Sequence, residues 1–136
     1  RYVHNHKTIN NSIAGNCDGP AWRNNTEGTC YAPFVRDAGY NTMYAGKYLN
    51  TYGLQGNNGG TTTAWIPKGW NNWFGLVGNS RYYGESISNN GTKQTYGQNY
   101  ITDYYTNVLR DQALSFLDLQ SADKPFLMVV ATPAGM

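Results

Sequence analysis

The sequence predicts an α/β protein, a mostly parallel sheet flanked by helices, and three observations carry that expectation. Ile101, Tyr105, Val108, Leu109, Ala113, Phe116 and Leu117 recur at steps of three and four, the spacing of one helix face. The run "PFLMVVAT" that follows is continuously apolar, as strands of a parallel sheet are. A shorter helix and strand stand earlier, around residues 29–45.

Residues 1–28 have no helical period and are full of Asn, Gly and Pro, which predicts a long irregular segment with a short strand at most. Thr29 can cap a helix running to Ala38, with Gly39 just past its end. Pro33 would cost a hydrogen bond in a helix interior, so the helix is placed from near Ala32, with the proline in its first turn. A strand follows at Tyr40–Ala45. The stretch "GLQGNNGGTTTA" (residues 53–64) reads as a low-complexity loop, and "IPKGWNNWFGL" as a turn and an aromatic cluster. Between Arg81 and Thr95, two strand-like runs flank Asn90-Gly91, a strong hairpin signal. The long helix is expected from Thr102 to about Leu119, capped by Thr102 or Asp103, before the final strand. No internal repeat is visible.

Composition narrows the function classes. The chain has 136 residues, enough for one small domain. Charged residues make up 13%, about half the usual quarter. Asn, Gly, Thr and 12 Tyr take their place, a surface suited to sugars and extracellular surroundings. A net charge of +2, with scattered Lys and Arg, makes no phosphate-tracking stripe, so nucleic acid is not an expected partner. The strongest apolar run, residues 126–131, falls far short of the roughly 20 residues of a membrane helix. Cys17 and Cys30 are compatible with one disulfide, but spacing does not establish pairing. Sequons at Asn10, Asn24 and Asn90 point to a secretory route and glycosylation.

Gly46-Lys47 at the end of the first strand raises a question of its own. A phosphate-binding loop is excluded, because Tyr48 follows the lysine and no glycine stands at position 41. The wider pattern Gly39-Tyr40-x-Thr42-x-x-Ala45-Gly46-Lys47-Tyr48-Leu49 resembles the second signature of the formylglycine-dependent sulfatases. "YVHNHKTINN", "PKGWNNWFGL", "NSRYY", "NYITDYYTNVL" and "PFLMVVATPA" are similar to segments of that family's glucosamine-6-sulfatase and heparan 6-O-endosulfatase branch.

The resemblance implies an alkaline-phosphatase-like domain, of which residues 1–136 form a single part incomplete at both ends. It implies hydrolysis of a 6-O-sulfate ester on N-acetylglucosamine units of glycosaminoglycans, with a calcium ion held by Asp and Asn oxygens. Lys47 matches the sulfate-contacting lysine and is the expected catalytic residue. His4 and His6 are expected beside the nucleophile; if the segment is a strand, both point to one face. Asn79 and Ser80 lie where the family turns toward the sulfate pocket. Many sulfatases carry His two residues after the lysine; here Leu49 stands there, which leaves Asn50 as a cleft candidate. Trp70, Trp73 and Phe74 could stack on a sugar or fill a core. Asp103 and Asp111 would be poor calcium ligands.

Departures from the family pattern matter too. No Cys/Ser-x-Pro-Ser-Arg occurs, the calcium-binding acids of the family have no counterpart, and Gly135-Met136 stands where Pro-His is expected. The chain begins in mid-motif with Arg1-Tyr2-Val3, so the expectation is an internal piece of a sulfatase, inactive when isolated. The alternative is a non-catalytic secreted carbohydrate-binding module on a sulfatase-like scaffold. Lysosomal or extracellular placement is expected on either reading.

Overall fold

A computed structural model describes residues 2–55 and 60–133. The middle of the expected loop at residues 53–64, and Ala134, Gly135 and Met136, lie outside the described residues. The elements in order are α1 (Val3–His6), α2 (Pro20–Asn25), a 3-10 turn (Glu27–Thr29), α3 (Tyr31–Asp37) and β1 (Asn41–Gly46). They continue with β2 (Asn72–Leu76), β3 (Ser86–Asn89), β4 (Thr92–Thr95), α4 (Tyr100–Asp103), α5 (Tyr105–Asp118) and β5 (Phe126–Ala131).

The five strands form one mixed sheet in the order β4-β3-β2-β1-β5. Its centre is parallel: β1 pairs with β2 on one side and with β5 on the other. The β3–β4 hairpin adds antiparallel strands beyond β2. Its two-residue turn, Asn90-Gly91, has φ of 47° and 90°, the doubly positive pattern that matches sheet twist. Asn90 extends the pairing: its side-chain oxygen accepts from the Trp73 N–H at 2.8 Å, and its own N–H donates to the Trp73 carbonyl at 2.8 Å.

Residues of β1 and β2 are buried on both faces of the sheet. Met43, Ala45, Phe74 and Leu76 face one core, closed by Ile87 and by Tyr105, Val108, Leu109 and Phe116 of α5. Tyr44 and Trp73 point to the opposite face, where Tyr52 joins them in a second core. Both faces of the parallel pair are therefore covered. β5 departs from the expectation of a buried strand: among the described residues it pairs only with β1, and Phe126 and Val130 are 42% and 38% exposed.

Two local expectations are corrected and a third holds. The segment of His4 and His6 is the one-turn helix α1, closed by Lys7 in the left-handed region (φ 59°). Residues two apart on a helix do not share a face, so the two imidazoles separate. Thr29 does not cap α3; it belongs to the preceding 3-10 turn and donates its hydroxyl to the Thr26 carbonyl at 2.8 Å. Pro33 does lie in the first turn of α3, where no N–H has a helical partner to lose.

The long helix is broken at Tyr104, whose ψ of 114° is extended. The Tyr105 N–H donates to the Tyr82 carbonyl at 3.0 Å instead of continuing the helical ladder. Tyr82, Tyr83 and Tyr100 gather their rings on Tyr104. Neither Thr102 nor Asp103 is the cap: Asn99 accepts from the N–H groups of Ile101 and Thr102 and caps α4. Ile101 is left 77% exposed, outside the core its spacing suggested.

One core group opposes stability. Glu85 is 1% exposed, and neither carboxylate oxygen has a hydrogen-bond partner outside its own residue. Burial raises its pKa first, with the Asp103 charge acting in the same direction. The folded protein thus favours the neutral acid, and stability tied to this group is full below the unfolded value near 4.5 and falls as pH rises through the folded one. Glu85→Gln is expected to raise stability at neutral pH by about 1–3 kcal/mol. Thermal midpoints across pH 4–8 read this (roughly the window around an ordinary carboxylate). The gap between variant and parent should widen as pH rises; a constant gap would refute the assignment.

Candidate functional site

Because β1, β2 and β5 run parallel, their carboxyl ends share one rim, the place where crevices form in open α/β sheets. Register sets Gly46 beside Gly75 and Ala131. Lys47 therefore leaves the sheet next to the chain leaving β2 and β5.

Gly46 has a φ of +121°, and a Cβ there would sit 2.0 Å from the Ala131 carbonyl oxygen. The same carbonyl accepts the Lys47 N–H at 2.9 Å. The glycine makes room for strand β5. Tyr44, stacked on Trp73 with centroids 5.0 Å apart, donates its hydroxyl to the Lys47 carbonyl. Burial pushes the Tyr44 phenol up to about 12, so it stays a donor.

The Lys47 side chain is half-buried, and its Nζ donates to the Tyr48 carbonyl at 2.7 Å. Burial pulls its pKa below the usual lysine value, while Cys17 nearby acts in the opposite direction. The ion pairs among the described residues are Arg36–Asp37 and Arg110–Asp111; neither involves Lys47. A partly desolvated ammonium without a carboxylate is suited to receive an anion.

Beside Cys17 opens a cavity of about 510 Å³, lined by His6, Trp22, Cys30, Tyr31 and Leu49 among others. The His6 Nδ1 accepts from the Thr8 N–H at 3.0 Å, which leaves Nε2 as the ring's other polar atom. The Trp22 Nε1 is buried with no partner. Behind the wall lie two buried acids. Asp18 accepts from the Thr61 hydroxyl at 2.7 Å and Glu27 from the Trp65 indole at 3.1 Å; burial raises the pKa of both. Burial also raises the Cys17 thiol, with Asp18 adding to it and Lys47 opposing. Cys17 and Cys30 are not joined in a disulfide.

The remaining sequence candidates divide. His6 lines the cavity, and Asn50 is half-buried in the turn after Leu49. His4 is exposed and stacks on Tyr2 at 5.6 Å, away from the cavity lining. Asn79 lines a separate cleft beyond β2, and the Ser80 hydroxyl is buried without a partner. Trp73 and Phe74 fill the cores, and half-buried Trp70 packs its edge on Tyr44. Asn10, Asn24 and Asn90 are all exposed. Asp111 pairs with Arg110, and Asp103 accepts from the Asn99 N–H. Trp22 and Tyr31 escaped sequence reasoning, and Cys17 and Cys30 were marked only as a possible disulfide: no period or motif ties the four to one cavity.

Calcium needs six to eight oxygen ligands. Among the described residues no group of three or more His, Cys, Asp or Glu converges to hold a metal ion. The described residues do not form that site.

The chain belongs to the sulfatase family, whose profile matches residues 1–135. More particularly, it is 42% identical over 135 residues to human N-acetylglucosamine-6-sulfatase, covering 98% of this chain and 24% of that protein. It is 40% identical over 136 residues to an extracellular sulfatase SULF-1 homolog of Drosophila melanogaster, covering 98% and 11% respectively. A protein solved in complex with its substrate D-glucosamine-2-N,6-O-disulfate shares the fold, with a TM-score of 0.57 and 23% identity over 78% of this chain and 18% of that one. The chain thus spans about a quarter or less of the length of these relatives. No helix among the described residues is long and apolar enough to cross a membrane.

Proposed function

We propose that this chain is the sulfate-gripping part of a sulfuric ester hydrolase that removes 6-O-sulfate from N-acetylglucosamine units of glycosaminoglycans. The single observation that carries the proposal is Lys47: a half-buried ammonium with no carboxylate partner, at the carboxyl end of a central parallel strand. In sulfate ester hydrolysis, charge builds on the sulfate oxygens and the leaving alcohol as the S–O bond breaks. A cation fixed in place beforehand stabilises that charge without reorganising.

His6 and the cavity beside Cys17 would receive the sugar, with Asn50 at its margin. His4, Asn79 and Ser80 remain peripheral candidates for substrate contact. This stretch contains no Cys/Ser-x-Pro-Ser-Arg. The formylglycine nucleophile and the calcium ligands are therefore assigned to residues outside it, within the same catalytic domain. Three exposed sequon asparagines and a relative named as extracellular support a glycoprotein of the secretory pathway, extracellular or lysosomal.

The test is to purify the natural polypeptide and measure sulfate released from 6-sulfated N-acetylglucosamine, with the isolated 136-residue chain in parallel. Release by the natural polypeptide alone is expected. If the natural polypeptide binds the sugar without releasing sulfate, the enzyme reading fails and a non-catalytic carbohydrate-binding module takes its place.

A further inference from the structure

We propose that the cleft beyond β2 holds a second acidic group of the substrate, carried by a sugar unit next to the one that is desulfated. This rests on the sulfatase reading above. The cleft measures about 340 Å³, within the size range of ligand sites, and Arg81, Lys93, Asn79 and Ser86 line it. Its two cations come from different elements. Arg81 belongs to the chain leaving β2, and Lys93 to β4, opposite Ser88 in the hairpin register. Both are exposed, and neither joins an ion pair among the described residues.

Glu85 is the one acid lining the cleft, and it does not offset them. It is 1% exposed, and burial raises its pKa, which favours the neutral acid. The cleft therefore presents two cations with neutral donors beside them. The chain leaves β2 immediately alongside β1, whose end carries Lys47. An anion held by Lys47 and another held by Arg81 and Lys93 would thus be gripped side by side along one rim. The ligand this fits is a polyanionic oligosaccharide; a monosaccharide fills one half of it.

The experiment uses the natural polypeptide and its Arg81→Ala/Lys93→Ala variant. Sulfate release is compared on 6-sulfated N-acetylglucosamine and on a tetrasaccharide with acidic neighbours. On the tetrasaccharide, kcat/KM is expected to fall about 10-fold, mostly through KM, the size of one charge-assisted hydrogen bond. On the monosaccharide it should stay within about twofold, which also shows that the variant folds. Equal losses on both sugars, or no loss on the tetrasaccharide, would overturn the proposal. Neighbours bearing only sulfate or only a uronic carboxylate identify which acidic group the cleft takes. Equilibrium binding of the tetrasaccharide needs no turnover and separates the two readings. Should the parent release no sulfate, weaker binding by the variant still supports the cleft, and unchanged binding removes it.

Discussion

Lys47→Ala is expected to lower kcat for sulfate release about 10²–10³-fold, the usual loss when one positioned charge-stabilising donor is removed. The side chain is held for that role by its surroundings. Tyr44 holds the Lys47 carbonyl, and Ala131 holds its N–H. The ammonium rests on the Tyr48 carbonyl, partly out of water. Removing it leaves those backbone contacts in place, and it relieves the desolvation that lowers the lysine's pKa. The variant should therefore melt no lower than the parent. Lys47→Arg should restore little, because a broad planar fork replaces a compact point charge at a half-buried site. Steady-state kinetics on 6-sulfated N-acetylglucosamine decide the matter. A loss under tenfold, with the fold intact, would remove Lys47 from the catalytic machinery.

Gly46→Ala is expected to destabilise the protein by about 4 kcal/mol or more, in the range reserved for severe steric faults. Its added Cβ would meet the carbonyl oxygen, carbonyl carbon and nitrogen of Ala131 at 2.0, 2.7 and 3.0 Å. All three are backbone atoms in a paired strand, so no side chain can swing aside. The φ of +121° adds strain for any residue with a Cβ. Stability of a folded domain is on the order of 5–15 kcal/mol, so much of it would go. Thermal melting and soluble yield report the effect. A midpoint within a few degrees of the parent would show that β1 and β5 can separate locally.

Much of the architecture was legible because it rests on period and turn chemistry. Val108, Leu109, Ala113 and Phe116 form the buried face of α5 as their spacing indicates. Asn90-Gly91 makes the hairpin turn, and Gly39 takes φ of 95° after α3. The misreadings arise where distant contacts decide local conformation. The helix breaks at Tyr104 because the Tyr105 N–H bonds to Tyr82, a choice that no window of neighbouring residues encodes. A single turn such as α1 is too short to show a period, so His4 and His6 were assigned to the wrong geometry. At the site, Lys47 stood out through its long signature. The cavity wall did not: Cys17, Trp22 and Cys30 converge only after irregular segments pack against α3 and the end of β1. Arg81 and Lys93 meet only through the hairpin.

The position of β1 between β2 and β5 has a consequence for synthesis. A contact from β1 to the chain that leads into β5, from Asn41 Nδ2 to Gln120 Oε1, joins residues 79 apart. At about 5–20 residues per second, a ribosome takes roughly 4–16 s to cover that interval. During this delay the outer border of β1 has no partner, and its apolar face waits for α5. The nascent chain is then at its most vulnerable to capture by a neighbour. The interval ends only when the last strand emerges and clasps Gly46.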